Sequence, residues 1–284
     1  RPAGSRDRLR SGSDPWSSPC QAHEMEGESF FRRLDDDYFE ATEWTRGPWN
    51  PKHQHAGPPS ALVAGRLAEM LDSQFRIARM AIEVTRPVPI GKLRLERSFR
   101  REGRKVRAMM GLLFDEQGKL VLTADALAIA QVQLDADVAR PPMDEALPAE
   151  GDEKKFPLFD EGTNYGSAME LRFTRGQFGG GDVMAWMRMR IPLLPDATPS
   201  ALERVMAAAD SGNGVSKRLS SSDYTFLNPD LAVTLHRPAR GEWIGLAART
   251  DLDSCGVGVS EARLYDEQGP IGRGVQTLLI RARE

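Results

Sequence analysis

Hydrophobic and polar residues alternate over most of this chain, which is the pattern of β-strands with one buried face. The alternation is clearest in residues 182–191, where every second position from Val183 to Ile191 is apolar. Strands are predicted at about 38–44, 78–88, 92–101, 105–114 and 120–133, and then at 169–174, 182–191, 224–237, 242–251, 256–265 and 271–282. The chain is therefore predicted to consist mainly of sheet.

Two stretches have helical spacing instead. Gly57–Pro59 is predicted to open the first helix, because proline is tolerated in a first turn, where its N–H would be unpaired anyway. The apolar face of this helix is formed by Leu62, Val63, Leu67, Met70 and Leu71. The second helix is expected to begin with Thr198 as N-cap and Pro199 in the first turn. Its apolar residues also recur at helical spacing: Leu202, Val205, Met206 and Ala209.

Short sequences recur along the chain in one order. Thr85–Pro87 and Asp115–Gly118 are matched by His236–Pro238 and Asp266–Gly269, both 151 positions later (236 − 85 and 266 − 115). Pro59–Leu62 also recurs, 140 positions later (199 − 59), as Pro199–Leu202. Each copy has a strand region, one helix and a run of four strands. We predict an α+β double hotdog, in which two fused units each wrap an antiparallel sheet around a central helix.

The same reasoning divides the chain into segments. Residues 25–134 are predicted to form the N-terminal hotdog and residues 166–284 the C-terminal hotdog. Residues 135–165 contain Asp, Glu, Pro and Lys without a long apolar run, and are predicted to be an exposed linker. Residues 1–24 are rich in Arg, Ser, Pro and Gly and have no periodicity. We interpret them as a flexible leader or a remnant of cloning, outside the fold.

The composition excludes several kinds of function. The 284 residues carry a net charge of −3, so the chain lacks the basic field that attracts nucleic acid. No apolar run approaches the roughly 18 residues of a membrane span. Cys20 and Cys255 are too few for a disulfide framework, which favours a reducing, cytoplasmic location. The four histidines lack metal-site spacing, and neither a metal nor another cofactor is expected.

Two groups of motifs carry a family resemblance. Gly47–Asn50 followed by His55–Leu62 resembles the start of the first helix in thioesterase-like proteins. Four further motifs resemble the C-terminal half of the acyl-CoA thioesterase II family: His236–Pro238, Glu242-Trp243, Tyr265–Gly269 and Gly274–Gln276. The resemblance covers residues 28–283. It implies a double-hotdog enzyme that hydrolyses acyl-CoA to a free acid and CoA.

The resemblance also implies a catalytic group. In that family an Asp, a Thr or Ser, and a Gln of the second copy hold the hydrolytic water. Asp210 matches the Asp and Gln276 matches the Gln, but Asn228 occupies the hydroxyl position, with Thr225 nearby. An amide can hydrogen-bond water without offering a hydroxyl. Asp210 is therefore expected to act as general base, with Asn228 and Gln276 orienting the water.

Other residues are candidates for substrate binding. His55 and Gly57 lie at the start of the first helix, and His236, Arg237 and Arg273 lie near the expected site, where basic groups could meet the phosphates of CoA. In the first copy Met70 stands at the position of Asp210 and Asp125 at that of Gln276 (210 − 140 and 276 − 151). We therefore expect one active site per chain, in the second copy, with the first copy supplying part of an acyl tunnel.

Each candidate also has an ordinary structural interpretation. Asp210 could cap a helix-ending turn, Gln276 could lie on a solvated strand face, and Asn228 could be a turn residue before Pro229. His55 could be a capping or surface histidine, and His236 a packing residue. The arginines could be solvated surface charges.

Three functions remain open at this point. The first is acyl-CoA hydrolysis. The second is acyl or acyl-CoA binding without catalysis, by a chain that has lost the hydroxyl at position 228. The third, an enoyl-CoA hydratase-like activity, is disfavoured because no Asp/His pair occurs on a short motif. A GxSxG nucleophile motif does not occur either. Assembly into a homodimer or higher homo-oligomer is expected.

Overall fold

The computed structural model describes residues 27–139, 141–149, 153–195 and 197–283. The leader predicted at 1–24 lies outside the described residues. The first copy contains β1 (Phe31–Arg33), β2 (Tyr38–Ala41), a 3-10 turn (Glu43–Thr45), α1 (Gly57–Ala68), β3 (Phe75–Val84), β4 (Lys92–Glu102), β5 (Val106–Asp115) and β6 (Leu120–Ala130). The second contains α2 (Tyr165–Ala168), β7 (Met169–Arg175), β8 (Asp182–Met189), α3 (Ala201–Ala209), α4 (Gly212–Ser216), β9 (Tyr224–Leu227), β10 (Asp230–Leu235), β11 (Ile244–Leu252), β12 (Val257–Asp266) and β13 (Gly269–Ala282).

One antiparallel sheet runs through both copies. Its strand order is β1-β2-β4-β5-β6-β3-β10-β13-β12-β11-β8-β7, and β9 pairs with β13 beside this path. The copies join where β3 pairs with β10, with Glu83 opposite Asp230 and Arg79 opposite Thr234. The predicted α+β double hotdog is confirmed, and the sheets of the two units pair into one.

The two central helices run antiparallel against each other. A Cβ on Gly57, at the start of α1, would lie 2.5 Å from the carbonyl oxygen of Ala207, near the end of α3. At the other end of α1, Gly65 packs against the side chain of Glu203 in the first turn of α3. The glycines therefore let the two backbones approach closely.

The start of α3 differs from the prediction by two residues. Ser200, not Thr198, is the N-cap, and it forms a capping box with Glu203. The Ser200 hydroxyl accepts the Glu203 N–H at 3.3 Å, while the Glu203 carboxylate accepts the Ser200 N–H at 2.6 Å. A Glu three residues after a Ser was the stronger signal, because it satisfies two N–H groups at once.

Three further elements differ from the predictions. The strand predicted at 224–237 is broken between β9 and β10 at Asn228-Pro229, since proline cannot donate a ladder hydrogen bond. The strand predicted at 38–44 ends at Ala41 and continues as a 3-10 turn. The turn predicted after α3 is followed directly by the short helix α4. No helix among the described residues is both long and apolar enough to cross a membrane.

Candidate active site

Asp210 lies at the bend between the two consecutive helices of the second copy. It is the C-cap of α3, and only 4% of the residue is exposed. Its Oδ1 atom accepts hydrogen bonds from the side-chain amides of Asn228, at 2.6 Å, and Gln276, at 3.2 Å. Its Oδ2 atom lies 2.9 Å from Nδ1 of His55. The sequence-predicted catalytic residues therefore meet at one carboxylate, together with a histidine predicted to bind substrate.

Gln276 holds this bend through both atoms of its amide. Its Nε2 also donates to the backbone carbonyl of Asp210 at 2.9 Å, and its Oε1 accepts the backbone N–H of Asn213 at 2.9 Å. Because Gln276 is 2% exposed and points inward from β13, a solvated strand face does not describe it. The amide links the end of α3 to the start of α4.

Asn228 reaches Asp210 because the strand is broken beside it. The residue lies between β9 and β10, and its Nδ2 atom faces the carboxylate. The opposite amide orientation would bring two acceptor oxygens together, so Oδ1 is the atom directed away from Asp210. Thr225, the nearby hydroxyl, pairs with Arg281 in the β9–β13 ladder and does not line the cavity at Asp210.

His55 is held by an aromatic contact as well as by Asp210. Its ring stacks on that of Tyr165, with centroids 3.8 Å apart and planes 7° from parallel. The Tyr165 hydroxyl donates to the carbonyl of Ala207 at 2.8 Å and lies 2.9 Å from the hydroxyl of Ser211. Complete burial raises the pKa of Tyr165 well above its ordinary value, so the phenol stays neutral. Sequence reasoning missed Tyr165.

Two groups compete for Nδ1 of His55. The backbone N–H of Gly57 approaches it to 3.1 Å, and the Asp210 carboxylate approaches it to 2.9 Å. An unprotonated Nδ1 would place two lone pairs against each other at the carboxylate. Nδ1 therefore carries a proton and donates it to Asp210, since Asp210 has acceptors only. The Gly57 N–H points at this same nitrogen and not into the cavity.

His55, Asp210 and Asn228 form the polar end of a cavity of about 310 Å³, which we call the acyl cavity; Gln276, Tyr165 and Gly57 do not line it. Both copies contribute to its lining: Gln54–Ala56 and Val84–Val88 come from the first, and Asp210 and Phe226–Pro229 from the second. The segment between the copies adds three apolar side chains: Phe156, Leu158 and Phe159. The site is therefore an apolar pocket with one buried, hydrogen-bonded carboxylate.

Three of the sequence-predicted substrate-binding residues lie elsewhere. His236, Arg237 and Arg273 do not line the acyl cavity. Arg237 donates two hydrogen bonds to the Asp266 carboxylate, at 2.5 and 2.7 Å, and a third to the carbonyl of Gly269 at 3.0 Å. Arg237 thus stabilises the turn between β12 and β13. Both His236 and Arg273 are exposed: His236 directly follows β10, and Arg273 pairs with Thr234 in the β10–β13 ladder.

Two opposing effects act on the pKa of the Asp266 carboxyl group. Burial acts to raise the pKa, but the Arg237 guanidinium and the N–H groups of Gln268 and Arg240 outweigh it. The pKa of Asp266 is therefore held below its ordinary value. In the second copy this ion pair joins the Arg-Pro motif to the Asp-Glu-Gln-Gly motif.

Both halves of the chain match models of one protein family. The model described as the acyl-CoA thioesterase C-terminal domain matches residues 139–280, and that described as the N-terminal domain matches residues 45–131. The chain belongs to the acyl-CoA thioesterase family. A comparison of this chain with curated proteins found no match.

Solved structures share the fold of this acyl-CoA thioesterase family member. One is a protein of unknown function with a hot dog fold from Alicyclobacillus acidocaldarius (TM-score 0.69, 13% identity, covering 92% of this chain and 99% of that one). Another is the acyl-CoA thioesterase II TesB2 of Mycobacterium marinum (0.62, 12%, 93% and 98%). A third is the tesB protein of Mycobacterium avium subsp. paratuberculosis (0.64, 15%, 88% and 95%). At these identities the likeness concerns the fold.

Proposed function

We propose that this protein hydrolyses acyl-CoA thioesters to a free carboxylic acid and CoA, with Asp210 as the general base. The observation that carries this proposal is a buried carboxylate, bonded to His55, Asn228 and Gln276, at the polar end of an apolar cavity. Membership of the acyl-CoA thioesterase family supports it. An apolar pocket with a few convergent polar groups is a typical small-molecule site.

A count of lone pairs supports a water bound to Oδ2 of Asp210. Oδ1 of Asp210 accepts two hydrogen bonds, from Asn228 and Gln276, whereas Oδ2 accepts one, from His55. One lone pair on Oδ2 is left to accept a water proton. Oδ1 of Asn228 accepts no hydrogen bond from the described residues and can take the second proton of that water. The amide therefore substitutes for the family's hydroxyl as an acceptor.

The start of α1 offers a donor for the developing oxyanion. Pro58 and Pro59 have no N–H, and the N–H of Ser60 is bonded to the carbonyl of Ala56 at 3.1 Å. The N–H of Ala56 has no acceptor among the described residues, and Ala56 lines the acyl cavity. The N-terminus of a helix carries a partial positive charge. We place the thioester carbonyl here, beside the water on Asp210.

The reaction then takes two steps. The water oxygen attacks the thioester carbonyl carbon, one water proton moves to Asp210, and the carbonyl oxygen becomes an oxyanion held by the Ala56 N–H at the start of α1. When the carbonyl reforms, the carbon–sulfur bond breaks and the CoA thiolate takes the proton from Asp210. Atoms and charges balance without a covalent enzyme intermediate.

The exposed mouth of the cavity suits the CoA moiety. Trp49 and Arg86 line it, and the Arg283 guanidinium lies 5.7 Å from the Trp49 ring. A planar aromatic ring beside two arginines can stack on a base and attract phosphates. These residues replace Arg237 and Arg273 as candidates for CoA binding.

We also propose that each chain has one site. Met70, at the position of Asp210 in the first copy, offers no carboxylate, and Asp125, at that of Gln276, pairs with Arg100 at 2.8 Å. The first copy instead contributes His55 and the start of α1 to the site of the second. The duplication thus supplies complementary parts of one active site.

Release of the CoA thiol from a panel of acyl-CoA substrates tests this function. We expect turnover by the native chain and a loss of about 10²- to 10⁴-fold in kcat for Asp210→Asn, the range for removing a general base. Asp125→Asn is the matched control in the first copy and should leave kcat unchanged. Full activity of Asp210→Asn would overturn the assignment. Tight binding without thiol release would indicate an acyl-CoA-binding protein, and loss of the enoyl absorbance without thiol release would indicate a hydratase.

A further inference from the structure

Two phenylalanines separate the acyl cavity from a second, larger cleft. The cleft has a volume of about 1260 Å³ and lies on the other side of the segment between the two copies. Phe156 and Phe159 line both spaces, and no other described residue lines both. We propose that Phe156 and Phe159 form the end wall that limits the length of the acyl chain. This inference rests on the thioesterase function proposed above.

The wall stands close to the reacting groups. The ring centroid of Phe159 lies 6.3 Å from that of His55 and 6.0 Å from that of Tyr165. Phe156 meets Phe159 edge to face at 5.7 Å and Phe178 at 5.9 Å. An acyl chain whose carbonyl lies at Asp210 therefore meets these rings before it can reach the cleft.

The segment that carries the wall is fixed at both ends. On one side, the backbone N–H of Lys154 donates to the carbonyl of Leu171 on β7 at 2.8 Å. On the other, Asn164 caps α2 and donates to the carbonyl of Asp160 at 2.8 Å. Arg46 of the first copy donates to the carbonyl of Thr163 at 2.5 Å. The wall is therefore a built structure rather than a loose loop.

The Phe159 ring is also fitted to the backbone behind it. A Cβ on Gly166 would lie 2.9 Å from two ring carbons of Phe159. The ring can rest there only because residue 166 has no side chain. This contact holds Phe159 between the two spaces, so that removing the ring should connect them.

The two spaces differ in chemistry, which explains why a wall is useful. The acyl cavity is mostly apolar, while charged residues line the cleft, including Glu153, Glu170, Arg188 and Arg190. Acidic residues outnumber basic ones there, so the cleft does not suit the phosphates of CoA. A chain that grew past the wall would leave apolar contacts for a charged, solvated surface.

The volume sets the expected length of the chain. An apolar cavity of about 150 Å³ holds one benzene molecule, so a cavity of 310 Å³ has room for about twice that. Part of this volume is the mouth lined by Trp49 and Arg86, and the Phe159 ring lies only 6.3 Å from that of His55, so the space for the acyl group is smaller than the whole cavity. The native chain should therefore prefer short to medium-length acyl groups, with a limit below decanoyl.

Binding of S-alkyl CoA thioethers, which cannot be hydrolysed, tests the wall directly by calorimetry. For the native chain we expect Kd to fall roughly fourfold with each added methylene until the wall is reached, and no further. In Phe159→Ala that limit should move to longer chains, and in Phe159→Trp to shorter ones. The chain-length profile of thiol release should shift in the same direction.

Phe173→Ala is the matched control. Phe173 belongs to the same aromatic cluster, with its ring 5.0 Å from that of Phe178, but it lines neither space. It should change stability without moving the chain-length limit. If both Phe159 variants fold and keep the native limit, the wall is disproved while the thioesterase function stands. If the native chain binds no thioether of any length, both proposals fail.

Discussion

Nδ1 of His55 lies 2.9 Å from Oδ2 of Asp210, so the two copies of the duplicated unit meet at a hydrogen bond inside the acyl cavity. His55 belongs to the loop before α1 and Asp210 to the end of α3. The antiparallel packing of these helices brings the start of one beside the end of the other. An Asp/His pair thus exists in space although no short motif contains it.

His55→Ala should lower kcat by about 100-fold with little change in KM, because a displaced catalytic carboxylate can cost that much. The imidazole orients Asp210 and keeps one of its lone pairs occupied. Steady-state kinetics on a medium-chain acyl-CoA measure the effect. His236→Ala is the control, since His236 is exposed and does not line the cavity. Equal effects of the two substitutions would contradict a positioning role for His55.

Asn228→Asp should shift activity to higher pH. The substitution preserves shape but places a second carboxylate where Nδ2 now donates to Asp210 at 2.6 Å. Like charges at this distance disfavour ionisation of the pair, so the base form would be populated only at higher pH. The pH profile of kcat/KM measures the shift. Asn228→Thr, which restores a hydroxyl, should keep the native profile, and an unshifted Asp variant would exclude Asn228 from the site.

Gln276→Leu should cost about 1 to 3 kcal/mol of unfolding free energy, the range for leaving a buried polar group unpaired. The Asn213 N–H and the Asp210 carbonyl would both lose their partner. Urea unfolding measures the loss. Thr277→Val, at the exposed neighbouring position of the same strand, should be nearly neutral. A neutral Gln276→Leu would mean that the α3–α4 bend is held by other contacts.

The repeat in the sequence predicted the large features of the fold because turns and helix starts have local signals. The Asp-Glu-Gln-Gly turns follow β5 and β12, and Gly57–Pro59 opens α1, as expected. The break at Asn228-Pro229 was also readable, since proline rarely sits inside a central strand. The prediction from alternation alone wrongly continued one strand through Asn228 and Pro229.

Only part of the site could be predicted from the sequence, and the reason is physical. Asp210, Asn228 and Gln276 were placed by family resemblance, and the structure brings their side chains together. The stacking of His55 on Tyr165 and the wall at Phe156 depend on packing between segments far apart in sequence, which has no local pattern. Arg237 looked like a phosphate ligand because its partner, Asp266, lies on another strand.

Arg237→Ala should destabilise the fold by about 3 to 5 kcal/mol, because it leaves the buried Asp266 carboxylate without its counter-ion. The folded-state pKa of Asp266 is depressed. Its contribution to stability is therefore complete above the unfolded pKa of about 4 and is lost as pH falls toward the folded value. The loss of unfolding free energy between pH 7 and acid conditions should therefore be smaller in Asp266→Asn than in the native chain. A raised KM for acyl-CoA with unchanged stability would instead make Arg237 a substrate ligand.

Gly57→Ala should impair both stability and catalysis. Its Cβ would lie 2.5 Å from the carbonyl oxygen of Ala207, so α1 and α3 must move apart, and the Gly57 N–H and His55 would move with α1. Overpacking of this kind costs about 1 to 3 kcal/mol. Gly274→Ala on β13 is the control, because Gly274 does not line the acyl cavity and an added Cβ there meets no atom closer than 3.8 Å. It should keep or slightly raise stability, by less than about 1 kcal/mol. Thermal unfolding and kcat are measured on both variants. Losses in Gly57→Ala alone would show that the close approach of α1 and α3 matters for the site, whereas equal losses in both would show a general intolerance of alanine.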